Sequence, residues 1–394
     1  MAGEVTDIAR QPYTASKPMS DNPLQLLYQA GQSVWLDYID RGMLHDGRLR
    51  ALIERDALVG MTSNPTIFEK ALSEGAAYDA QISSASPDLT PSELFELIET
   101  DDVRTACDRF ASVFEDTEGH DGYVSIEVSP SQAFDADATV IEARRLWKTV
   151  DRPNVMVKVP GTVEGARAIR RLIAEGINVN VTLLFAIEAH NRVIEAYIGG
   201  LEDRVAAGQP IDRLASVASF FVSRVDTEID KRLNAMAAEA TGARRDHLLS
   251  LRGKAAVANA RLAYRLFKER FSGDRWERLA ARGAMVQRPL WASTSTKNPA
   301  YRDVIYVEQL IGPNTVNTMP PATMDAFRDH GIIARTVDSN DAQAEADLAA
   351  LEAVGISLEH VTAQLLTEGV ASFQRSFDTL LAGLSRKTAS LVTS

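Results

Sequence analysis

A (β/α)8 barrel with additional helices is the fold this sequence predicts, and three patterns predict it. Eight short apolar runs recur along the chain, and long amphipathic stretches of helical period separate them. Strands that alternate with helices pair in parallel through right-handed crossovers, and eight such units close on themselves. Polar residues also stand at the carboxyl ends of the runs, the face on which a barrel of this kind meets its ligand.

Taken in order, the first run is Ser33-Val-Trp-Leu-Asp37, which ends on a carboxylate, and the second is Leu58-Val-Gly-Met-Thr62, which leads into Ser63-Asn64-Pro65-Thr66. The third, Tyr123 to Glu127, ends on another carboxylate. The fourth, Val155 to Val159, carries Lys158 between apolar neighbours. The fifth, Asn178 to Leu184, sets Asn178, Asn180 and Thr182 at alternate positions, hence on one face. The sixth, Ser216 to Val222, carries Ser219 and leads to Arg224. The seventh, Met285 to Trp291, leads into Ser293-Thr-Ser-Thr-Lys297, and Thr315 to Thr318 is the eighth.

Between the runs, helical patterns cover Asp101 to Phe114, Val163 to Glu175, Ala186 to Gly199, Thr227 to Ala240 and the long Arg245 to Ser272. From Met324 to Leu384 the chain adds two or three helices, one of them after the Asp338-Ser-Asn-Asp341 cap, and no further strand. We therefore expect residues 23–394 to form a single barrel domain with extra C-terminal helices. Met1 to Asn22, polar and without an apolar core, reads as a flexible extension.

With 394 residues, 45% of them hydrophobic, the chain has ample material for a large core. A net charge of −12 argues against nucleic acid or an anionic membrane as partner, since either needs a basic face. The single cysteine, Cys107, excludes an internal disulfide and any multi-cysteine metal site, and it reads as a packing residue. Six scattered histidines show no pair at metal-ligand spacing, so neither metal nor cofactor is expected. No run of eighteen apolar residues occurs, and the chain reads as cytosolic, a monomer or homodimer.

Lys158 carries the chemistry. An ammonium in a strand buried on both faces must be paired or lose its proton, and a desolvated lysine becomes an amine nucleophile able to form Schiff bases with carbonyls. The bland alternative is a lysine that snorkels to solvent.

Three motifs, Gly60-Met-Thr-Ser-Asn-Pro-Thr-Ile-Phe68, Val155-Met-Val-Lys-Val-Pro160 and Glu175-Gly-Ile-Asn-Val-Asn-Val-Thr-Leu-Leu-Phe185, resemble in order and spacing those of the transaldolase family, specifically its longer bacterial type. The resemblance covers nearly the whole chain. It implies a transferase of the pentose phosphate pathway that moves a dihydroxyacetone unit between sugar phosphates. It implies Lys158 as the Schiff-base lysine, Asp37 and Glu127 as acid/base carboxylates, and Thr182 as the residue that positions a catalytic water. Asn64 and Asn180 match positions that contact the substrate or the adduct, Ser219 lies in the matching strand-six segment, and Arg224 matches the phosphate binder. The sequence departs from the family after strand seven: shorter relatives carry an arginine there as a second phosphate ligand, whereas this chain offers Lys297, a point charge in place of a planar fork.

Each assignment has a plainer rival. Asp37 could cap a turn, Glu127 could serve only as an ion-pair partner of Lys158, Asn64 could begin a turn, and Arg224 could pair at the surface with Asp226 or Glu228. Two other functions share the residues: a lyase that releases free dihydroxyacetone to water, and a silent barrel that only binds sugar phosphates.

Overall fold

In the computed structural model, which describes residues 21–73 and 75–392, eight parallel strands close into one barrel in sequence order. They are β1 (Gln32–Asp37), β2 (Leu58–Thr62), β3 (Tyr123–Glu127), β4 (Val155–Pro160), β5 (Val179–Leu184), β6 (Ser216–Phe221), β7 (Arg288–Ala292) and β8 (Thr315–Met319). β1 pairs with β8 from Gln32 opposite Thr315 to Leu36 opposite Met319, which completes the closure. All eight expected runs are strands. The seventh begins at Arg288, three residues later than its apolar pattern suggests, because Arg288 is the first residue to pair with β6.

The barrel interior is filled at mid-height by Trp35, which is fully buried. Its indole lies so close to β2 that a Cβ on Gly60 would fall 2.4 Å from the ring, so β2 carries glycine where the other strands carry side chains. The outward-facing apolar strand residues pack against the helices in one large apolar core.

The helices begin and end for local reasons. Val163–Glu175, bounded as expected, is capped by the Thr162 hydroxyl, which accepts from the Gly165 amide, and it ends on Gly176 at φ +87°. The expected Arg245 to Ser272 helix is two helices, Gly242–Ser250 and Ala255–Arg270, because the chain turns at Gly253 with φ +69°. The Asp101 to Phe114 pattern is likewise split, into the end of Pro91–Arg109 and the short Ala111–Asp116. After β8 come Pro321–His330, Asp341–Ala353, capped by Asn340, and a 35-residue helix, Leu358–Val392.

That last helix runs along the rim of the barrel mouth. Gln364 meets Arg232 near its start, Ser376 bonds Thr66 beyond β2, and Lys387 pairs with Asp79 near its end. The expected flexible extension, Met1 to Asn22, lies outside the described residues except for Asp21 and Asn22, and Asn22 caps the Pro23–Gln29 helix. No helix among the described residues is long and apolar enough to cross a membrane.

Candidate active site

The carboxyl ends of β1 to β6 bring the candidate residues to one mouth. Closure of the sheet sets Glu127 directly opposite Lys158, Lys158 opposite Asn180, and Pro160 opposite Thr182. Lys158 Nζ donates to Glu127 Oε2 at 3.0 Å and to the Ser63 carbonyl at 2.9 Å, and the lysine is only 5% exposed. It does not snorkel. The ion pair that was the plain reading of Glu127 is present, toward the carboxyl ends of β3 and β4.

Asp37 accepts from the Thr62 hydroxyl at 2.8 Å, and Thr62 in turn meets the Thr318 hydroxyl at 2.7 Å. The local cap is the neighbouring Asp40, whose side chain accepts from the Met43 amide, so Asp37 is left to face the mouth. Part of its surface is reachable, yet the surrounding protein pushes its carboxyl up, and Lys158 pulls it back. Burial also pushes Glu127 up, again opposed by Lys158. Both acids are thus displaced upward from the ordinary carboxylate range, by burial and against the pull of Lys158.

Thr182 is fully buried, and its hydroxyl has no partner among the described residues. Directly after it β5 takes one extra residue against β6: Val181 faces Ala218 but Leu184 faces Phe220. Leu183 absorbs the bulge at φ +59°, an unfavourable backbone for a branched side chain, costing about 1–2 kcal/mol. Such a distortion re-aims the residues beside it, here Thr182.

Below this layer Asn180 donates to Ser125 Oγ at 2.9 Å and accepts from Ser219 Oγ at 2.7 Å. Asn178, whose partner role was open from alternation alone, is structural: it donates to the carbonyls of Pro153 and Val155 and accepts from the Ala215 amide. Asn64 does begin a helix, accepting from the Ile67 amide, which leaves its amide nitrogen for other work.

Arg224 makes neither of the surface pairs open to it. Asp226 instead accepts from the Ala256 amide and the Tyr306 hydroxyl, and Glu228 is held by Lys231 and Arg232. The Arg224 guanidinium lies 5.1 Å from the centre of the Phe221 ring, within electrostatic reach of Asp37, with no hydrogen bond or ion pair among the described residues. A cation so placed is available to an anion. Lys297 stands in the loop after β7, exposed, with its ammonium on Ser295 Oγ at 2.8 Å, and no bond joins it to the other candidates.

Sequence reading missed the supports: Thr62 on Asp37, the Ser63 carbonyl on Lys158 and Ser125 on Asn180. Ser125 and Thr62 do occupy inward positions, two before Glu127 and at the end of β2, so alternation could have found them.

Residues 34–384 match the sequence profile of the Transaldolase/Fructose-6-phosphate aldolase family. The chain is 50% identical over 366 residues to the transaldolase of Mycolicibacterium smegmatis, covering 92% of this chain and 97% of that one. It is 50% identical over 370 residues to the transaldolase of Thermobifida fusca, covering 93% and 99%, and 45% identical over 380 residues to that of Trichodesmium erythraeum, covering 95% and 99%.

Proposed function

The chain belongs to the Transaldolase/Fructose-6-phosphate aldolase family, and from that premise we propose that it works as a transaldolase in which Lys158 carries the three-carbon unit. It passes dihydroxyacetone from sedoheptulose 7-phosphate to glyceraldehyde 3-phosphate, giving erythrose 4-phosphate and fructose 6-phosphate. The observation that supports this most is the buried contact of 3.0 Å between Lys158 Nζ and Glu127 Oε2, at a mouth shared with Asp37, Thr182 and Arg224.

In this reading Glu127 takes a proton along its bond to Lys158, which frees the amine to attack the ketose carbonyl. The carbinolamine loses its hydroxyl as water when Glu127 returns that proton, and the Thr182 hydroxyl holds the water. Asp37 then takes the proton of the C4 hydroxyl, the C3–C4 bond breaks, and the electron pair is stored as an enamine by the protonated imine. Asn64, Asn180 and Ser219 hold the hydroxyls of the adduct, Arg224 binds the phosphate, and Lys297 adds a second, more distant charge. The aldose acceptor enters, Asp37 gives its proton back, and hydrolysis of the imine by the same water frees Lys158. We place the reaction in the cytosol, on a monomer or homodimer.

Borohydride reduction with fructose 6-phosphate, followed by intact mass and peptide mapping, tests the assignment. A three-carbon adduct on Lys158 is expected, and an adduct on any other lysine overturns it. Asp37→Ala should trap the whole six-carbon sugar, because the imine still forms while carbon–carbon cleavage stops. Fructose 6-phosphate alone should release little dihydroxyacetone; rapid release without an acceptor would replace the transferase with a lyase.

A further inference from the structure

Behind the Lys158–Glu127 pair, between the helices Pro91–Arg109, Ala136–Val150 and Leu358–Val392, lies a cavity of about 20 Å³. Its walls include Glu99, Glu127, Glu142, Ser129 and Phe377. That volume suits one water molecule, and the site is polar enough to hold it.

Glu99 is 5% exposed, and neither of its carboxyl oxygens has a hydrogen-bond or ion-pair partner among the described residues. A buried carboxyl is almost always paired, so an unpaired one beside an active site calls for a reason. The charged groups facing it are Glu127 and Lys158 from the barrel, Glu142 from the next helix, and Glu96 from its own helix; the C-terminal helix presents only Phe377. Arg145, half exposed, pairs with Glu96 and Glu142 at the outer rim, and Lys158 is already held by Glu127. Burial first, and then the neighbouring carboxylates, push the Glu99 carboxyl well above its ordinary value, the direction that favours its protonated form. Glu142 completes the path outward: one of its oxygens is buried without a partner among the described residues, and its carboxylate accepts from the Ser129 amide.

Resting on the Schiff-base reading above, we propose that Glu99 is a positioning residue for imine formation, a proton store that reloads Glu127 through the water the cavity admits. When Glu127 protonates the departing carbinolamine hydroxyl, the C–O bond breaks, water leaves and Glu127 becomes a carboxylate. Glu99 then passes its proton to the cavity water, which passes one of its own to Glu127. Glu99 is left ionised and recovers a proton from solvent by way of Glu142. Imine hydrolysis runs the chain in reverse, so no net charge is created over a turnover.

Glu99→Gln keeps the shape but cannot relay. Its kcat should fall on the order of tenfold, the low end of what proton transfer contributes, while KM for fructose 6-phosphate is unchanged. Its solvent deuterium isotope effect should rise and the alkaline limb of its kcat profile should move, while Glu99→Asp restores most of the rate. Borohydride trapping, run in parallel, separates the two levels of the reading. A normal Lys158 adduct in Glu99→Gln with wild-type kcat, isotope effect and pH profile overturns the relay and leaves the Schiff base intact. Failure of the wild type itself to trap at Lys158 overturns both. Should Glu99→Gln not fold, Glu142→Gln reports on the same limb, and a wild-type isotope effect and pH profile there also overturn the relay.

Discussion

The two ends of this barrel both bury charge, and they handle it in opposite ways. At the amino-terminal end, Arg288 donates to Ser33 Oγ at 2.8 Å, Asp121 Oδ1 at 3.0 Å and the His120 carbonyl at 2.6 Å, while Ser33 donates to the other Asp121 oxygen at 3.0 Å. Both carboxylate oxygens of Asp121 and the Ser33 hydroxyl are engaged. At the carboxyl-terminal end, among the described residues, the buried Thr182 hydroxyl has no partner, no hydrogen bond or ion pair joins Glu99 or Arg224 to another side chain, and two carboxyls are displaced by burial. A charge network built to hold the fold saturates its hydrogen bonds; one available for chemistry leaves some of them for a substrate.

Substitution of Lys158 by Met should sharpen this contrast most. Activity should fall by on the order of 10⁴ or more, since no amine remains to form the imine, yet thermal stability should hold or rise. Glu127, already pushed toward its neutral form, can take up a proton when its cation is lost. Unfolding of the variant in place of inactivation would mean that the mouth is a structural pair like that at the base.

The mirror experiment is Arg288→Met, which leaves Asp121 buried without its cation. It should destabilise by about 3–5 kcal/mol in a denaturant titration while the surviving folded enzyme still traps dihydroxyacetone. Loss of trapping in folded protein would show that the two ends are coupled.

His190 probes whether unsatisfied polarity alone marks function. It is fully buried, neither ring nitrogen has a partner among the described residues, and burial pushes its pKa down to about 4. The unfolded chain binds a proton near pH 6.5 and the folded chain does not until about 4, so stability should fall as pH drops through that window. The loss reaches roughly 3 kcal/mol at pH 4. His190→Leu should flatten this slope and leave kcat unchanged, because the ring packs on Phe220 and not at the mouth. A drop in kcat would break the distinction between an isolated orphan and a convergent set.

Smaller effects are expected at the phosphate end. Arg224→Ala should raise KM for phosphorylated donors about tenfold to a hundredfold, the worth of one charge-assisted contact, roughly 1.5–3 kcal/mol. Lys297→Ala should do less, because the lysine is exposed and its field is screened by solvent. A larger effect from Lys297 than from Arg224 would reverse their roles.

The sequence by itself determined the eight strands, their order, the parallel barrel and the strand ends on which Asp37, Glu127, Lys158 and Thr182 stand. Those features follow from local periodicity and from the rule that ligands meet the carboxyl ends of parallel strands. It misjudged the long helix from Arg245, where a single glycine at φ +69° decides the break, and the start of β7, where pairing with β6 outweighs an apolar pattern. Only the tertiary structure decided which polar groups meet. Glu127 lies opposite Lys158 because β3 and β4 pair in that register, and Thr182 is aimed by a bulge that depends on how β5 meets β6. Glu99 could not have been singled out, since its sequence neighbours Ile98 and Thr100 give no sign that the helix turns it toward Glu127, 28 residues away. Periodicity is a property of neighbours along the chain, whereas hydrogen-bond satisfaction depends on groups brought together by closure, and closure exists only once all eight strands are in place.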